Sequence, residues 1–336
     1  MRAFLGQRVS TPDVSEQLRE TTMRILVTGG AGFIGSHLCD RLLKRSASVW
    51  CVDNLHLGQR RNIAHLRGNN RFHFIELDVL DRPALVALFA DTHFDAVFHL
   101  AANSDIAAGS ADPELDLRLN HLTTTTVLET MQEHRVRRLF FASTSAIFGE
   151  TSEILHEHFG PLQPISFYGA SKLAAEAYVS AYAHLFGVAA VVLRFPNVVG
   201  ERATHGVIYD FLRKLEKSPL ELEVLGDGNQ TKPYLYVADL IDAILLTFDK
   251  ASAPLAVYHA AGIGLTSVRE IAEIVVAAAG RPDTRIRYTG GDRGWPGDVP
   301  KFGYDISRLE TLGWQPRRHS TDAVRFSVER ILANGF

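Results

Sequence analysis

The sequence has little cysteine and lacks the long apolar segments of membrane proteins. Only Cys39 and Cys51 are cysteines among the 336 residues, and they do not form a C-x-x-C pair. This excludes a disulfide framework and a cysteine-ligated metal site, so we expect two buried, reduced thiols in a cytoplasmic protein. No apolar run approaches the ~20 residues that span a bilayer, and we therefore expect no membrane partner.

An excess of charge of either sign is also missing. The chain has 35 Lys and Arg residues against 38 Asp and Glu residues, a formal net charge of −3. Nucleic-acid-binding proteins usually carry a strong basic excess, so this balance gives no indication of a nucleic-acid partner. We identify no cluster of metal ligands and expect no metal.

The first residues lack the apolar centre of a secretory signal. Residues 1–22 are polar and of mixed charge, and Met23 directly precedes the first predicted strand. We therefore expect residues 1–22 to be an upstream extension that takes no part in the chemistry.

What the sequence does contain is a glycine turn between a strand pattern and a helix pattern. A predicted strand over 24–28, apolar at its centre, leads into Gly29, Gly32 and Gly35, and an amphipathic helix follows. In a G-x-x-G-x-x-G turn, the glycines permit a tight turn, close approach of a pyrophosphate and close packing of helix on strand. The open amides of the helix N-terminus then face the phosphates. The stretch predicts a dinucleotide site.

An acidic residue ends the second predicted strand. Asp53 follows the strand 48–52 and lies 18 positions after Gly35. A carboxylate at this distance hydrogen-bonds the adenosine ribose of a dinucleotide. Because it would repel a 2′-phosphate, the sequence favours NAD over NADP.

Strand and helix patterns alternate through the first two thirds of the chain. Further strands are predicted at 71–77, 96–100, 138–142 and 189–195, with helices at 83–90, 113–134 and 170–186 between them. Such alternation is typical of βαβ units and a parallel sheet. We predict an α/β fold with a Rossmann-type doubly wound sheet. The NAD-binding domain is predicted over 23–196, and residues 197–336 are predicted to form mainly a smaller, interleaved substrate-binding lobe. We expect His99 to be a packed strand residue.

A tyrosine and a lysine lie one helical turn apart at the start of the helix 170–186. Lys172 follows Tyr168 by four residues, so the two side chains share a helix face. A nearby ammonium favours the phenolate, which would lower the tyrosine pKa and make Tyr168 a usable general base. Thr144, at the end of a neighbouring strand, could hydrogen-bond the same substrate hydroxyl.

Together these features resemble the extended short-chain dehydrogenases/reductases, in particular the NAD-dependent epimerases and dehydratases that act on nucleotide sugars. The matching stretches follow the family order from about residue 24 to 330. They are TGGAGFIGS (28–36), Asp53-Asn54, Asp78-Val79, HLAA (99–102), Asn120, STSAIFG (143–149), YGASK (168–172), RFPNVVG (194–200), GDGNQTKPYLYVADL (226–240) and GDVP (297–300).

The resemblance implies a role for each matching position. The implied NAD-binding residues are Gly29, Gly32, Phe33 and Ile34 at the pyrophosphate, Asp53 and Asn54 at the adenosine ribose, Asp78 and Val79 at the adenine, Leu100, Ala101 and Ala102 along the cleft, and Asn120. Tyr168 is implied as the catalytic base, Lys172 also as a ligand of the nicotinamide ribose, and Thr144 as the residue that positions the sugar hydroxyl. The implied substrate-binding residues are Ser145, Asn197, Lys232, Arg293, Trp295 and Asp298.

One pair of residues bears on the reaction. In the 4,6-dehydratases of this family, an Asp-Glu pair that eliminates water follows the threonine, whereas this chain has Ser145-Ala146. We therefore expect a 4-epimerase, in which Tyr168 takes the proton of the 4-hydroxyl and a transient 4-keto sugar turns over in the pocket. The alternative is an NAD-dependent nucleotide-sugar 4-dehydrogenase. A non-catalytic NAD sensor is disfavoured, because such proteins usually lack the Tyr–Lys pair.

Two departures from the family concern the substrate. Lys232 stands where an arginine is common and lacks its bidentate fork for phosphate. Trp295 occupies the place of a second phosphate-binding arginine. Arg293 could replace that arginine, and Trp295 could stack on a base or sugar or could simply pack in a loop. The departures favour an unusual nucleotide sugar, such as a heptose or a uronic acid derivative.

The resemblance also implies a homodimer. Helices 113–134 and 170–186 would pair with their copies in a four-helix bundle, and Ala174, Ala177, Ala181 and Leu185 fit such a face. Burial of these residues within one chain would give the same pattern.

Overall fold

The computed structural model describes residues 22–252, 254–294 and 302–334. A seven-stranded sheet forms its centre, with the strands β1 (Arg24–Thr28), β2 (Ser48–Asp53), β3 (Phe72–Glu76), β4 (Ala96–His99), β5 (Arg138–Thr144), β7 (Ala189–Phe195) and β12 (Leu255–His259). Their order is β12-β7-β5-β4-β1-β2-β3, and every neighbouring pair is parallel. The predicted α/β fold with a doubly wound parallel sheet is confirmed.

Helices cover both faces of this sheet. The α-helices of the described residues are α1 (Phe33–Lys44), α2 (Arg82–Thr92), α3 (Ile106–Ala111), α4 (Pro113–Asp116), α5 (Thr123–Glu133), α6 (Phe167–Phe186), α7 (Val207–Lys217), α8 (Val237–Lys250), α9 (Val268–Ala278), α10 (Ser307–Glu310) and α11 (Ser320–Asn334). Short 3₁₀ turns span Arg60–Leu66 and Ser145–Ile147.

Successive residues of the central strands serve two cores, because side chains alternate between the faces of a sheet. In β1, Ile25 and Val27 pack with α1 and α8, while Leu26 packs with α2, α5 and α6 on the other face. His99 is fully buried in β4, and its ring nitrogens bond the hydroxyls of Thr28 at 2.7 Å and Thr124 at 3.1 Å. His99 is thus a packed strand residue, as predicted.

The predicted helix 113–134 contains an irregularity. Between α4 and α5 the backbone forms a π-helical segment, Leu117–Leu122. The threonines that follow bond back to this segment: the Thr123 hydroxyl donates to Leu119 O at 2.7 Å, and the Thr124 hydroxyl donates to Asn120 O at 2.6 Å. Threonine hydroxyls that bond back to a carbonyl one turn earlier satisfy their own donors within the helix.

The later part of the chain adds short strand pairs beside the carboxyl edge of the sheet. They pair β6 (Ile154–Leu155) with β15 (Gly303–Tyr304), β8 (Val198–Val199) with β11 (Leu235–Tyr236), β9 (Glu221–Val224) with β14 (Arg285–Tyr288) and β10 (Thr231–Lys232) with β13 (Thr266–Ser267). Among the described residues, no helix combines the length and apolar character needed to cross a bilayer. Cys39 and Cys51 are free, buried thiols.

Candidate active site

A cavity of about 910 Å³ lies at the carboxyl ends of the central strands. The strand order reverses between β1 and β4, which is the place where open parallel sheets bind ligands. One wall comes from the glycine turn and the ends of β2 and β4, and the opposite wall comes from residues after β7, including Asn197 and Lys232. Tyr168, Lys172 and Thr144 lie along the same cavity.

The glycine turn has the backbone geometry that a dinucleotide requires. Gly29 has a φ of +69°, and a Cβ on it would lie 2.7 Å from the amide nitrogen of Ala101. A Cβ on Gly35 would lie 2.1 Å from the carbonyl oxygen of Gly29. The turn closes through Gly32 N, which donates to Gly29 O at 3.1 Å. Because no side chain caps α1 at Gly32, its first amides are open to an anion.

Asp53 links the end of β2 to this turn. Its carboxylate accepts the amide of Ala31 at 2.9 Å and the amide of Leu55 at 2.8 Å. Burial raises the pKa of Asp53, and the hydrogen bonds from backbone amides oppose that rise. Asn54 follows it in the cavity wall and donates to Asp78 Oδ2 at 3.2 Å. The structure thus brings the predicted ribose and adenine residues together at one end of the cavity.

The catalytic candidates converge where α6 begins next to the end of β5. The Ser166 hydroxyl caps α6 by accepting the amide of Gly169 at 3.1 Å. A Cβ on Gly169 would lie 2.2 Å from Ala146 O, so only glycine lets the helix come this close to the turn after β5. Lys172, one turn on, donates from Nζ to Ala142 O at 3.0 Å and lies 5.0 Å from the centre of the Phe141 ring.

The pKa values of Tyr168 and Lys172 differ from the prediction. We expected Lys172 to lower the pKa of Tyr168, and for the polypeptide by itself this is wrong. Burial raises the pKa of Tyr168 to about 12, and its hydrogen bond with Thr144 only partly opposes the effect. Burial also lowers the pKa of Lys172 to about 8, against the charges of Glu176 and Asp116. Desolvation therefore dominates both groups, and a phenolate at neutral pH needs further positive charge nearby.

The predicted substrate residues separate into three groups. Ser145, Asn197 and Lys232 line the cavity, and Lys232 is buried. Arg293 does not line it, because its guanidinium pairs with Glu150 at 2.5 Å. Trp295 and Asp298 lie outside the described residues.

Asn120, which the resemblance placed among the cofactor residues, lies behind the cavity wall. Its Nδ2 donates to Asp116 Oδ1 at 3.1 Å and to Ser171 Oγ at 3.0 Å. The structure therefore places it next to α6, where it contacts the residue before Lys172, and it does not line the cavity.

Two buried carboxylates at the site were missing from the sequence prediction. Glu176 accepts Arg194 Nη2 at 2.7 Å and Nε at 3.0 Å, and it also accepts the Ser143 hydroxyl. The sequence could have predicted this residue, because Glu176 lies four positions after Lys172 and therefore shares its face of α6. Asp116 is buried beside Asn120, and nothing in its spacing from the catalytic residues indicated this.

A hydrogen bond also joins the two walls of the cavity. Ser104 follows β4 on the cofactor side, and its hydroxyl lies 3.1 Å from Nε2 of His205, which lies just before α7. Both residues line the cavity. No group of three or more potential metal ligands occurs in the residues that the structure describes.

Known proteins match this chain over nearly its whole length. The model of the NAD dependent epimerase/dehydratase family matches residues 25–261. A putative UDP-glucose 4-epimerase of Methanocaldococcus jannaschii is 34% identical, over 92% of this chain and 99% of that protein. The UDP-glucose 4-epimerase of Mycolicibacterium smegmatis is 30% identical, over 91% of this chain and 98% of that protein.

Solved structures match in the same way. The crystal structure of a UDP-galactose 4-epimerase has a TM-score of 0.82 and 36% identity, covering 94% of this chain and 100% of that one. The UDP-glucose 4-epimerase of Thermus thermophilus in complex with NAD has a TM-score of 0.84 and 31% identity, covering 93% and 100%. A dTDP-glucose 4,6-dehydratase of Streptomyces venezuelae with NAD bound has a TM-score of 0.85 and 27% identity, covering 93% and 98%.

Proposed function

Because this chain belongs to the NAD-dependent epimerase/dehydratase family, we propose that it is a nucleotide-sugar epimerase that inverts C4 through a transient 4-keto sugar. The glycine turn fits NAD, since its crowded glycines and open helix amides leave a cradle that added Cβ atoms would fill. Asp53 and Asn54 would hold the adenosine ribose. Bound NAD supplies a reversible hydride acceptor and the positive charge of an oxidised nicotinamide.

The proposed catalytic residues lie at the end of β5 and at the start of α6. Tyr168 would take the proton of the 4-hydroxyl while C4 loses a hydride, and it would return the proton after the sugar has turned over. Because the hydride would also return, to the other face of C4, no net redox change would result. Thr144, which bonds the Tyr168 hydroxyl, would hold the 4-hydroxyl against it. Lys172 would contact the nicotinamide ribose and, with the nicotinamide charge, would favour the phenolate that burial opposes.

The observation that carries the choice of reaction is the turn after Thr144. Ser145 faces the cavity there and Ala146 follows it, so neither position offers a carboxyl group to eliminate water. The fold itself does not discriminate, because the epimerase and dehydratase structures above match it equally well. We therefore place epimerisation above dehydration, and a net 4-dehydrogenase remains the alternative.

Product analysis with UDP-glucose and UDP-galactose as first substrates tests the proposal. We expect each sugar to yield the other, without a stoichiometric rise in NADH, and we expect Tyr168→Phe to lose about 10²- to 10⁴-fold in kcat, the usual contribution of general acid–base catalysis. Stoichiometric NADH with a keto sugar would point to the dehydrogenase. A 4-keto-6-deoxy sugar, or full turnover by Tyr168→Phe, would contradict the proposed mechanism.

The diphosphate of the substrate would lie between Asn197 and Lys232. Basic residues of α7, namely Arg213, Lys214 and Lys217, line the same end of the cavity, and within the protein Arg213 pairs with Glu216 and Lys214 with Glu223. In this arrangement Arg293 would not replace the missing phosphate-binding arginine, because it pairs with Glu150. Trp295 and Asp298 remain predicted substrate residues.

We also propose that the protein is a cytoplasmic homodimer. The side of α6 that carries Ala177, Ala181 and Leu185 is exposed, and Leu185 is 74% exposed. Ala175, Val179 and Ala183 form the buried side of this helix, so burial within one chain does not account for the apolar face. Light scattering after size-exclusion chromatography distinguishes the dimer from a monomer.

The cytoplasmic location is supported by the two cysteines. Both are free, buried thiols, which is typical of proteins in a reducing compartment.

A further inference from the structure

Asp116 is a carboxylate buried behind the catalytic residues. It is the last residue of α4, directly before the π-helical segment, and only 1% of its surface is exposed. Its Oδ1 accepts Asn103 Nδ2 at 2.8 Å and Asn120 Nδ2 at 3.1 Å. Its Oδ2 has no hydrogen-bond partner among the described residues. A Cβ on Gly109 would lie 1.9 Å from Oδ2, so this oxygen packs directly on the backbone of α3.

A chain of hydrogen bonds connects this carboxylate to the start of α6. Asn120 donates to both Asp116 and Ser171, and the Ser171 hydroxyl donates to Tyr168 O at 2.9 Å. Ser171 lies between Tyr168 and Lys172 in the sequence. The π-helical segment carries Asn120, and irregular turns of this kind are frequent at functional sites.

Two carboxylates act on Lys172, namely Glu176 and Asp116, and they differ in their surroundings. Glu176, on the same helix as Lys172, is paired with Arg194 at 2.7 Å. His99 faces Lys172 from β4, and burial lowers its pKa to about 3, so it is neutral. Burial also raises the pKa of Asp116, against the hydrogen bonds from Asn103 and Asn120 and the charge of Lys172. A buried charge is costly unless another charge compensates it, and Lys172 is the cation whose field acts on Asp116.

We propose that Asp116 is a positioning residue of the epimerase site, whose buried negative charge keeps the Lys172 ammonium protonated and sets how readily Tyr168 releases its proton. The proposal rests on the proposed role of Tyr168 as the base. The other side chain that acts on Tyr168 is Thr144, whose uncharged hydroxyl is hydrogen-bonded to it. Burial raises the pKa of Tyr304, a neighbouring phenol, which is therefore neutral. Glu176 and Asp116 both favour the Lys172 ammonium, but of the two only the negative charge of Asp116 also opposes the Tyr168 phenolate.

The substitution Asp116→Asn removes the charge and keeps the shape and the acceptor. Without the carboxylate the phenolate forms more easily and the ammonium loses its proton more easily. Both limbs of the pH profile of kcat should then move to lower pH, by about 0.5 to 1 unit, since charges in close contact shift a pKa by about 1 to 3 units and Asp116 makes no direct bond to either group. A purely structural role would lower kcat and leave both limbs in place.

An ultraviolet titration of the tyrosinate, performed without turnover, measures the same effect independently. Tyr168→Phe identifies which part of the signal belongs to Tyr168, and that part should move to lower pH in Asp116→Asn. If Tyr168→Phe keeps full turnover, the proposed function fails, while the titration still decides the role of Asp116. Unmoved limbs together with an unmoved titration, in a folded Asp116→Asn protein, would overturn the proposal.

Matched variants control for folding and for net charge. Asp91→Asn removes an exposed carboxylate on α2 and should leave both limbs unchanged. Asp116→Glu keeps the charge and should restore the limb positions even if kcat falls. Should Asp116→Asn fail to fold, Asp116→Ser removes the same charge with a smaller side chain and is judged by the same two measurements.

Discussion

The two ends of the cavity are built from different parts of the chain. The end proposed to bind NAD is formed mainly by the backbone. It consists of the crowded glycines, the uncapped start of α1 and the amides that donate to Asp53. At the other end, which we propose binds the substrate, side chains from separated elements converge, among them Asn197, Lys232 and His205. Backbone geometry tolerates little change, whereas converging side chains can be exchanged one at a time. We therefore expect the first end to be common to the family and the second end to define the substrate.

The largest expected effect follows from crowding the backbone end. In Gly35→Ala the new Cβ would lie 2.1 Å from Gly29 O, so the turn must shift. We expect the purified variant to lose bound NAD and to be destabilised by about 1–3 kcal/mol, as is usual when a packed site is overfilled. Cofactor release on denaturation and thermal melting measure the two effects. Gly160→Ala, at an exposed position where a Cβ meets no atom within 4 Å, is the control. Retention of NAD by Gly35→Ala would mean that the glycine turn can shift to accommodate the Cβ without losing the cofactor site.

A smaller and more selective effect is expected from the substrate end. Lys232→Met keeps the bulk of this buried side chain and removes its charge. The KM for the nucleotide sugar should rise about 10- to 100-fold, because hydrogen bonds to charged groups contribute about 1.5–3 kcal/mol. NAD content should not change. Arg293→Ala is the matched comparison, and since Arg293 pairs with Glu150 instead of lining the cavity, its KM should change less than about twofold. The reverse ranking would assign the phosphate contact to Arg293.

The smallest effect is expected where the two ends meet. Ser104→Ala removes the hydroxyl that lies 3.1 Å from His205 across the cavity. A single exposed hydrogen bond contributes about 0.5–1.5 kcal/mol at most, so we expect KM to rise about two- to tenfold with little change in kcat. Steady-state kinetics of Ser104→Ala and of His205→Ala should agree, because each variant breaks the same bond. If the two differ widely, His205 contacts the substrate by itself.

The sequence predicted those parts of the site that depend on local patterns, and it did not predict those that depend on contacts between distant residues. The glycine spacing, Asp53 at the end of β2, and the one-turn separation of Tyr168 and Lys172 are local patterns, and the structure places all of them on one cavity. The pairing of Arg293 with Glu150 joins residues far apart in the sequence, and no local pattern encodes it. The π-helical segment that brings Asn120 between Asp116 and Ser171 has no sequence signature that we recognise.

The error about Tyr168 has a different origin. The spacing indicated that a cation lies near the phenol, but it did not indicate how completely both groups are buried. Desolvation raises the pKa of Tyr168 and lowers the pKa of Lys172, and burial is a property of the folded chain that a four-residue spacing does not contain.

The position of β12 has a consequence for how the chain can be divided. This strand, Leu255–His259, pairs with β7 and forms the edge of the central sheet. A protein cut off after β7 would therefore expose a row of unpaired amides and carbonyls on a strand that is otherwise apolar and buried. Such an edge invites pairing with other molecules, so the nucleotide-binding half should aggregate when it is expressed without the residues that follow it. The part of the chain that we propose selects the substrate thus also completes the sheet that supports the proposed cofactor site.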